Sequence, residues 1–297
     1  MKVLLIGANG QLGTDLHSVL RNRGVEVRPI VEPELDVRDA GAVTALVGST
    51  LPEVVINTAA FHQLEQCEKQ PTTAFEVNAL GARNVAAACR QHSAVLVHFS
   101  TDYVFDGAKR SPYVETDSPT PVSAYGVSKL SGEHMVAYTT RRYFLIRPCG
   151  LFGLAGPFGK GSNFVENMLK KAVDGAPIRV VDDQILTPTY TLALADKIVQ
   201  LISTEAYGLY HLSCEGQCSW YEFACKIFEL AGIQSNLSPC KTADFPSSVT
   251  RPAYSVMSKA KFNSLGLGRM PAWEEALAQY LQARRSNHAA RGCTVPA

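Results

Sequence analysis

The chain has 297 residues, 46% hydrophobic and 19% charged, and its 28 Lys and Arg against 27 Asp and Glu leave a net charge of +1. That length buries one large domain or two unequal ones, and so even a balance lacks the basic surplus on which nucleic-acid binding rests. No apolar run approaches the roughly 18 residues of a membrane span, and Met1 leads straight into a strand-like run without a secretory leader pattern, so a cytoplasmic location is expected.

The first element is the apolar run Lys2 to Ile6, followed by Gly7-Ala8-Asn9-Gly10-Gln11-Leu12-Gly13 and a helical pattern through Leu16, Val19 and Leu20. Strand, glycine loop and helix in that order are the context of a dinucleotide fingerprint, here spaced G-x-x-G-x-x-G. Gly7 permits the tight turn, Gly10 lets backbone amides approach a pyrophosphate, and Gly13 allows the helix to pack close on the strand. Asn9, Gln11 and Leu12 share that loop and are expected to touch the cofactor. Further strands are predicted at 25–30, 54–57, 95–100 and 143–147, alternating with helices, the clearest at 72–92 and interrupted only by Gly81. Strands that are apolar throughout imply burial on both faces, hence an α/β, doubly wound parallel sheet over residues 1–150.

Within that frame Tyr125 and Lys129 lie four residues apart in Ala124-Tyr125-Gly126-Val127-Ser128-Lys129. Positions i and i+4 share one helix face, so an ammonium lies close to a phenol. A nearby cation stabilises a phenolate and lowers its pKa from about 10, which suits Tyr125 to general-acid work. Thr101 follows the strand at 95–100, where open parallel sheets place ligands, and its hydroxyl can hold a carbonyl oxygen beside Tyr125.

The second half is less regular and predicts a smaller substrate-binding lobe over 151–285, with segments returning to the first domain. A glycine- and proline-rich loop is expected at 154–162, an amphipathic helix at 163–172, a strand at 178–181, a helix at 220–231 anchored by Trp220, and a disordered tail at 286–297. Eight cysteines without secretory context are expected as thiols. His211, Cys214, Cys218 and Cys225 cluster, but at spacings of no common zinc pattern.

Read in order, the glycine loop, Leu35-Asp36-Val37, Asn57-Thr58-Ala59-Ala60, Ser100 to Gly107, Tyr125 to Lys129, Asp183-Gln184, Pro188-Thr189 and Arg251-Pro252 resemble the extended short-chain dehydrogenase/reductases. Within that superfamily the chain resembles the dTDP-4-dehydrorhamnose reductase family, from Met1 to about Leu281. The resemblance implies a catalytic set Thr101, Tyr125 and Lys129, with Lys129 also bonding the nicotinamide ribose. It implies NADPH or NADH as cofactor and reduction at C4 of a 4-keto-6-deoxy nucleotide sugar, such as dTDP-4-dehydro-L-rhamnose. Asp36 and Val37 are then placed at the adenine, and Ala59 and Ala60 beneath the cofactor. Asp102, Tyr103, Asn163, Gln184 and Arg251 are candidates for the sugar nucleotide, Arg251 being suited to bidentate phosphate contact.

Glu32 is positioned to bond a ribose 2′-hydroxyl and Arg28 to attract a 2′-phosphate, so the choice between NAD and NADP stays open. Where the family usually shows Arg-Thr-Ser-Trp-Val-Tyr, this chain has Arg147-Pro148-Cys149-Gly150-Leu151-Phe152, and Tyr254 replaces an asparagine. The resemblance includes members that bind magnesium through glutamates at a dimer contact; only Asp15 and Glu274 look comparable here, so no strong metal requirement is expected. A homodimer is the expectation from the superfamily. Two other readings remain: a nucleotide-sugar epimerase or dehydratase that retains its NAD, and a dinucleotide-binding regulatory subunit like the beta subunit of methionine adenosyltransferase.

Overall fold

Alternate residues of β1 (Lys2–Ile6) point into two separate cores. Val3 and Leu5 join Leu16 and Leu20 of α1 (Gln11–Asn22) on one face, while Leu4 and Ile6 join Val43, Val47 and Val85 on the other. A strand apolar on both faces must be covered on both, and the rest of the chain does this. The structure, a computed structural model, describes residues 1–156, 162–175, 177–245 and 247–290.

The central sheet comprises β1, β2 (Glu26–Ile30), β3 (Val54–Asn57), β4 (Val95–Phe99), β5 (Tyr143–Arg147) and β6 (Gly208–His211), in the order β2-β1-β3-β4-β5-β6. Every neighbouring pair is parallel. The chain runs outward in opposite directions from β1 and β3, so their carboxyl ends form the topological switch point where such sheets bind ligands. α2 (Ala40–Thr50), α3 (Ala82–Gln91) and α4 (Ala124–Thr139) cover one face, and α1 packs with α6 (Thr191–Leu201) on the other. β6 and α6 thus belong to the first half's sheet although they come from the second half of the sequence.

α5 (Phe164–Val173), α7 (Trp220–Ala231) and α8 (Trp273–Ala290) surround two small strand pairs. Ile178–Val181 runs parallel to Leu237–Cys240, and Ile185–Leu186 runs antiparallel to Cys218–Ser219. α8 continues through Ala290, so residues 286–290 are helical where a tail was expected; 291–297 lie outside the described residues, as does 157–161 of the expected loop.

The helix expected at 72–92 is continuous through Gly81 but not regular. Pro71–Phe75 and α3 are joined by a wide π turn, Glu76–Gly81, of the kind that collects at functional sites. At its centre Asn78, fully buried, accepts from Phe61 N (2.9 Å) and donates to Phe61 O (2.9 Å) and Ser128 Oγ (3.0 Å). One amide therefore ties the segment after β3 to α4. Asn78→Ala strands these buried groups, and a loss of about 2–3 kcal/mol is expected in urea unfolding; an unchanged midpoint would contradict this account of the turn.

Candidate active site

The glycine loop closes over the end of β1. Gly7 has φ +80°, and a Cβ there would lie 2.5 Å from Thr58 Oγ1; Gly13 brings α1 so near that a Cβ would lie 2.1 Å from Gly7 O. Side chains are excluded at both positions, leaving backbone amides at the amino end of α1. The loop opens onto a cleft of about 1210 Å³ along the carboxyl ends of β1, β3, β4 and β5.

The residues expected to form the catalytic set, to hold the cofactor at the glycine loop and beyond β2 and β3, and to meet the sugar nucleotide line this cleft: Gly7, Asn9, Gly10, Gln11 and Leu12 with Asp36, Val37, Ala59 and Ala60 towards β1, β2 and β3, Thr101, Asp102, Tyr103, Tyr125 and Lys129 at β4 and α4, and Asn163, Gln184 and Arg251 from the second lobe. Two buried oxygens there, Gln11 Oε1 and Ser100 Oγ, lack a partner among the described residues. Orphaned acceptors and hydroxyls beside an amide-lined glycine turn fit a dinucleotide.

Tyr125 and Lys129 occupy the first turns of α4, whose amino end is capped by Ser123 Oγ accepting from Gly126 N at 3.2 Å. Thr101 faces the Tyr125 phenol closely enough to act on its pKa. Thr101 Oγ1 bonds Asp102 Oδ1 (3.2 Å) and accepts from Tyr103 N (3.2 Å). Lys129 is 2% exposed, and burial brings its ammonium down to about 8 against the pull of Glu133 and Cys67. The expectation that Lys129 lowers the Tyr125 pKa is not met. Burial of the phenol raises it instead, opposed by the Thr101 hydroxyl and reinforced by the Asp102 charge. Tyr125 therefore stands protonated at neutral pH, as an acid must before it acts.

The second-lobe candidates differ in how much of their side chain is free. Asn163 is the N-cap of α5: Oδ1 accepts from Glu166 N (3.0 Å), while Nδ2 donates to Gly153 O (2.8 Å) and Tyr280 Oη (3.4 Å). Its amide is consumed by the fold, so it shapes the cleft wall instead of presenting a free group to a ligand. Gln184 donates to Thr242 Oγ1 at 2.9 Å. Arg251 bonds Ser247 Oγ (2.9 Å) and crosses the cleft mouth to Glu65 Oε1 (3.1 Å).

Beyond β2, Asp36 holds a bidentate pair with Arg38, which keeps its carboxyl below the usual range. Arg28 is engaged by Glu34 and lies away from the cleft wall, whereas Glu32 and Arg38 line it. Trp220 packs against Phe164 with ring centroids 4.5 Å apart and lines the cleft as well as starting α7.

Sequence reasoning missed Arg179, Thr242 and Phe245. They meet at the far wall, where Arg179 donates to Asp244 (2.8 Å) and sits 5.8 Å from the Phe245 ring. Gly150, standing where the family usually has tryptophan, has φ +54°, and a Cβ there would lie 2.9 Å from Leu186 Cδ1. A side chain at that point requires Leu186 to move and a left-handed backbone that L residues rarely adopt. Asp15 is buried and donated to by Thr191 (2.5 Å), which removes it from any surface metal contact.

The parallel sheet and its glycine turn define an extended short-chain dehydrogenase/reductase fold, with Thr101, Tyr125 and Lys129 lining one cleft. The family described as RmlD substrate binding domain matches residues 1–286. The chain is 41% identical to the spore coat polysaccharide biosynthesis protein SpsK of Bacillus subtilis, over 96% of this chain and 98% of that protein. It is 36% identical to dTDP-4-dehydrorhamnose reductase of Aggregatibacter actinomycetemcomitans, over 93% and 97%. The solved dTDP-4-dehydrorhamnose reductase of Bacillus anthracis in complex with NADP superposes with TM-score 0.91 at 38% identity, over 95% of this chain and 99% of that one. The chain belongs to the dTDP-4-dehydrorhamnose reductase family, and is an oxidoreductase of that kind.

Proposed function

We propose that the protein reduces the C4 keto group of a 6-deoxy nucleotide sugar, dTDP-4-dehydro-L-rhamnose first among them, with NADPH or NADH. The observation that carries this reading is that Thr101, Tyr125 and buried Lys129 meet in one cleft at the carboxyl ends of the strands that also shape the glycine turn. When bound, the reduced nicotinamide supplies the hydride.

The chain's own residues do the rest. The loop amides and the amino end of α1 hold the pyrophosphate; Lys129 bonds the ribose and supplies positive charge; Tyr125 gives its proton to the C4 oxygen as charge develops there. Thr101 and Tyr125 converge on that oxygen and fix it. Gln184 and Arg251 face the nucleotide portion, Arg251 exchanging Glu65 for diphosphate oxygens, an anion more strongly charged than one carboxylate. Asp36 and Val37 take the adenine, with Ala59 and Ala60 leaving room for the cofactor across them.

The test is oxidation of NADPH and NADH followed by absorbance with enzymatically prepared dTDP-4-dehydro-L-rhamnose and with other 4-keto-6-deoxy sugar nucleotides. Saturable oxidation with the first substrate, at kcat/KM at least about tenfold above the others, supports the reading. Preference for another keto sugar moves the substrate, and none at all removes the proposal. Lys129 loses its charge as pH rises through about 8, so kcat at saturating substrate is expected to fall above that pH. A profile flat to about pH 10 contradicts the role given to Lys129.

A further inference from the structure

Thr101 has one hydroxyl hydrogen and two claimants for it. Asp102, 5% exposed, sits under the catalytic corner and receives Thr101 Oγ1 on Oδ1 at 3.2 Å and Cys149 Sγ on Oδ2 at 3.1 Å. Ser255 faces the carboxyl and lies 3.5 Å from Cys149 Sγ. Among the described residues no cation pairs with Asp102. A buried carboxylate without a cation is costly, and its other neighbours in the network are two hydroxyls and a thiol. The ionisable groups facing it are Tyr103 beside it, Tyr125 from α4 and Cys149 after β5, with Arg251 beyond Tyr103. All but Arg251 are neutral at neutral pH, and none but Arg251 offers it a positive charge.

With Asp102 ionised, the Thr101 hydrogen points to Oδ1, and Thr101 presents lone pairs to the Tyr103 amide and the Tyr125 phenol. In that pattern Thr101 has no hydrogen for a keto oxygen. With Asp102 protonated, the carboxylic O–H donates to Thr101 Oγ1, the Tyr103 amide takes the second lone pair, and the Thr101 hydrogen turns to the ligand. Both patterns saturate the hydroxyl, and only the second sends two donors, Thr101 and Tyr125, to one oxygen.

We propose that Asp102 is a positioning residue that takes up a proton as the keto sugar binds, and thereby hands the Thr101 hydroxyl hydrogen to the C4 oxygen. The proton comes from solvent and stays on Asp102 until product leaves; the one transferred to the sugar is that of Tyr125. This rests on the reductase reading given above. Binding and proton uptake are linked, so ligand affinity must fall as pH rises above the pKa of the free carboxyl. Burial raises that pKa against the pull of Ser255, Cys149 and Thr101, which widens the window in which Asp102 is ready.

The experiment measures KM and kcat for the keto sugar from about pH 5 to about pH 9 in wild type, Asp102→Asn and Asp102→Ala, with cofactor affinity by fluorescence as the folding control. The Asn amide is a permanent donor to Thr101. Asp102→Asn is expected to keep kcat within about threefold of wild type while losing the rise of KM with pH, which in wild type approaches about tenfold per unit. Asp102→Ala is expected to lower kcat by at least about tenfold with cofactor affinity intact. The loss of Lys129 charge is common to all three proteins, so the difference between them isolates Asp102. A wild-type pH dependence of KM in Asp102→Asn, or an Asn variant as impaired as the Ala variant, overturns the proposal. Should Asp102→Ala fail to fold, the Asp102→Asn comparison alone decides. Wild-type protein that binds cofactor and reduces no keto sugar refutes the function first, and the inference with it.

Discussion

Tyr125→Phe is expected to lower kcat by about 10²–10⁴-fold, the range over which a positioned general acid acts, with cofactor affinity and thermal midpoint close to wild type. The phenylalanine keeps the ring that packs edge-on against Tyr103, whose centroid is 5.9 Å away, and removes only the proton donor facing Thr101. Transient kinetics with saturating cofactor separate this loss from substrate binding. Turnover at the wild-type rate in a folded, cofactor-binding variant would remove Tyr125 from the chemistry.

The second large effect is on stability. Arg147 on β5 is fully buried and bidentate to Glu133 on α4, with Nε–Oε1 2.7 Å and Nη2–Oε2 2.6 Å. Its guanidinium lies 5.1 Å from the Phe105 ring, and its third edge meets His211 Nε2 at 3.2 Å. His211 is driven down to about 3 by burial and the Arg147 charge, so it remains neutral and can accept from Arg147. Glu133→Gln leaves a buried cation without its counter-charge, and a loss of about 3–5 kcal/mol is expected, lowering the thermal midpoint by roughly 10 °C. A change under about 1 kcal/mol in calorimetry would show that water or rearrangement already compensates the pair.

The same helix carries both features, and this explains why the catalytic half of the site was legible in sequence. Tyr125, Lys129 and Glu133 recur every four residues on α4, one stripe that turns from the cleft into the core. Chemistry fixes such residues at fixed spacing on one element, as it does the glycines after β1. The second lobe offers no comparable regularity. Asn163 has the composition of a ligand and the geometry of a cap, which only the direction of α5 reveals. Arg179 and Phe245 meet because Ile178–Val181 pairs with Leu237–Cys240, strands far apart in sequence, and no local pattern announces that pairing. The π turn at Asn78 depends on Phe61 and Ser128, again distant, and reads in sequence as plain helix. The four-residue spacing brings Lys129 onto the helix face of Tyr125, but periodicity gives neighbours and not desolvation, and burial is what raises the Tyr125 pKa.

The most direct test of the whole account follows an isotope. NADPH carrying deuterium at the transferable C4 position is incubated with the protein and dTDP-4-dehydro-L-rhamnose, and the sugar product is analysed by mass and by NMR. The account predicts one equivalent of cofactor oxidised per product and one deuterium at C4 of the hexose. Sugar product formed without net cofactor oxidation and without deuterium at C4 would contradict it, and would instead describe an enzyme that recycles its nicotinamide.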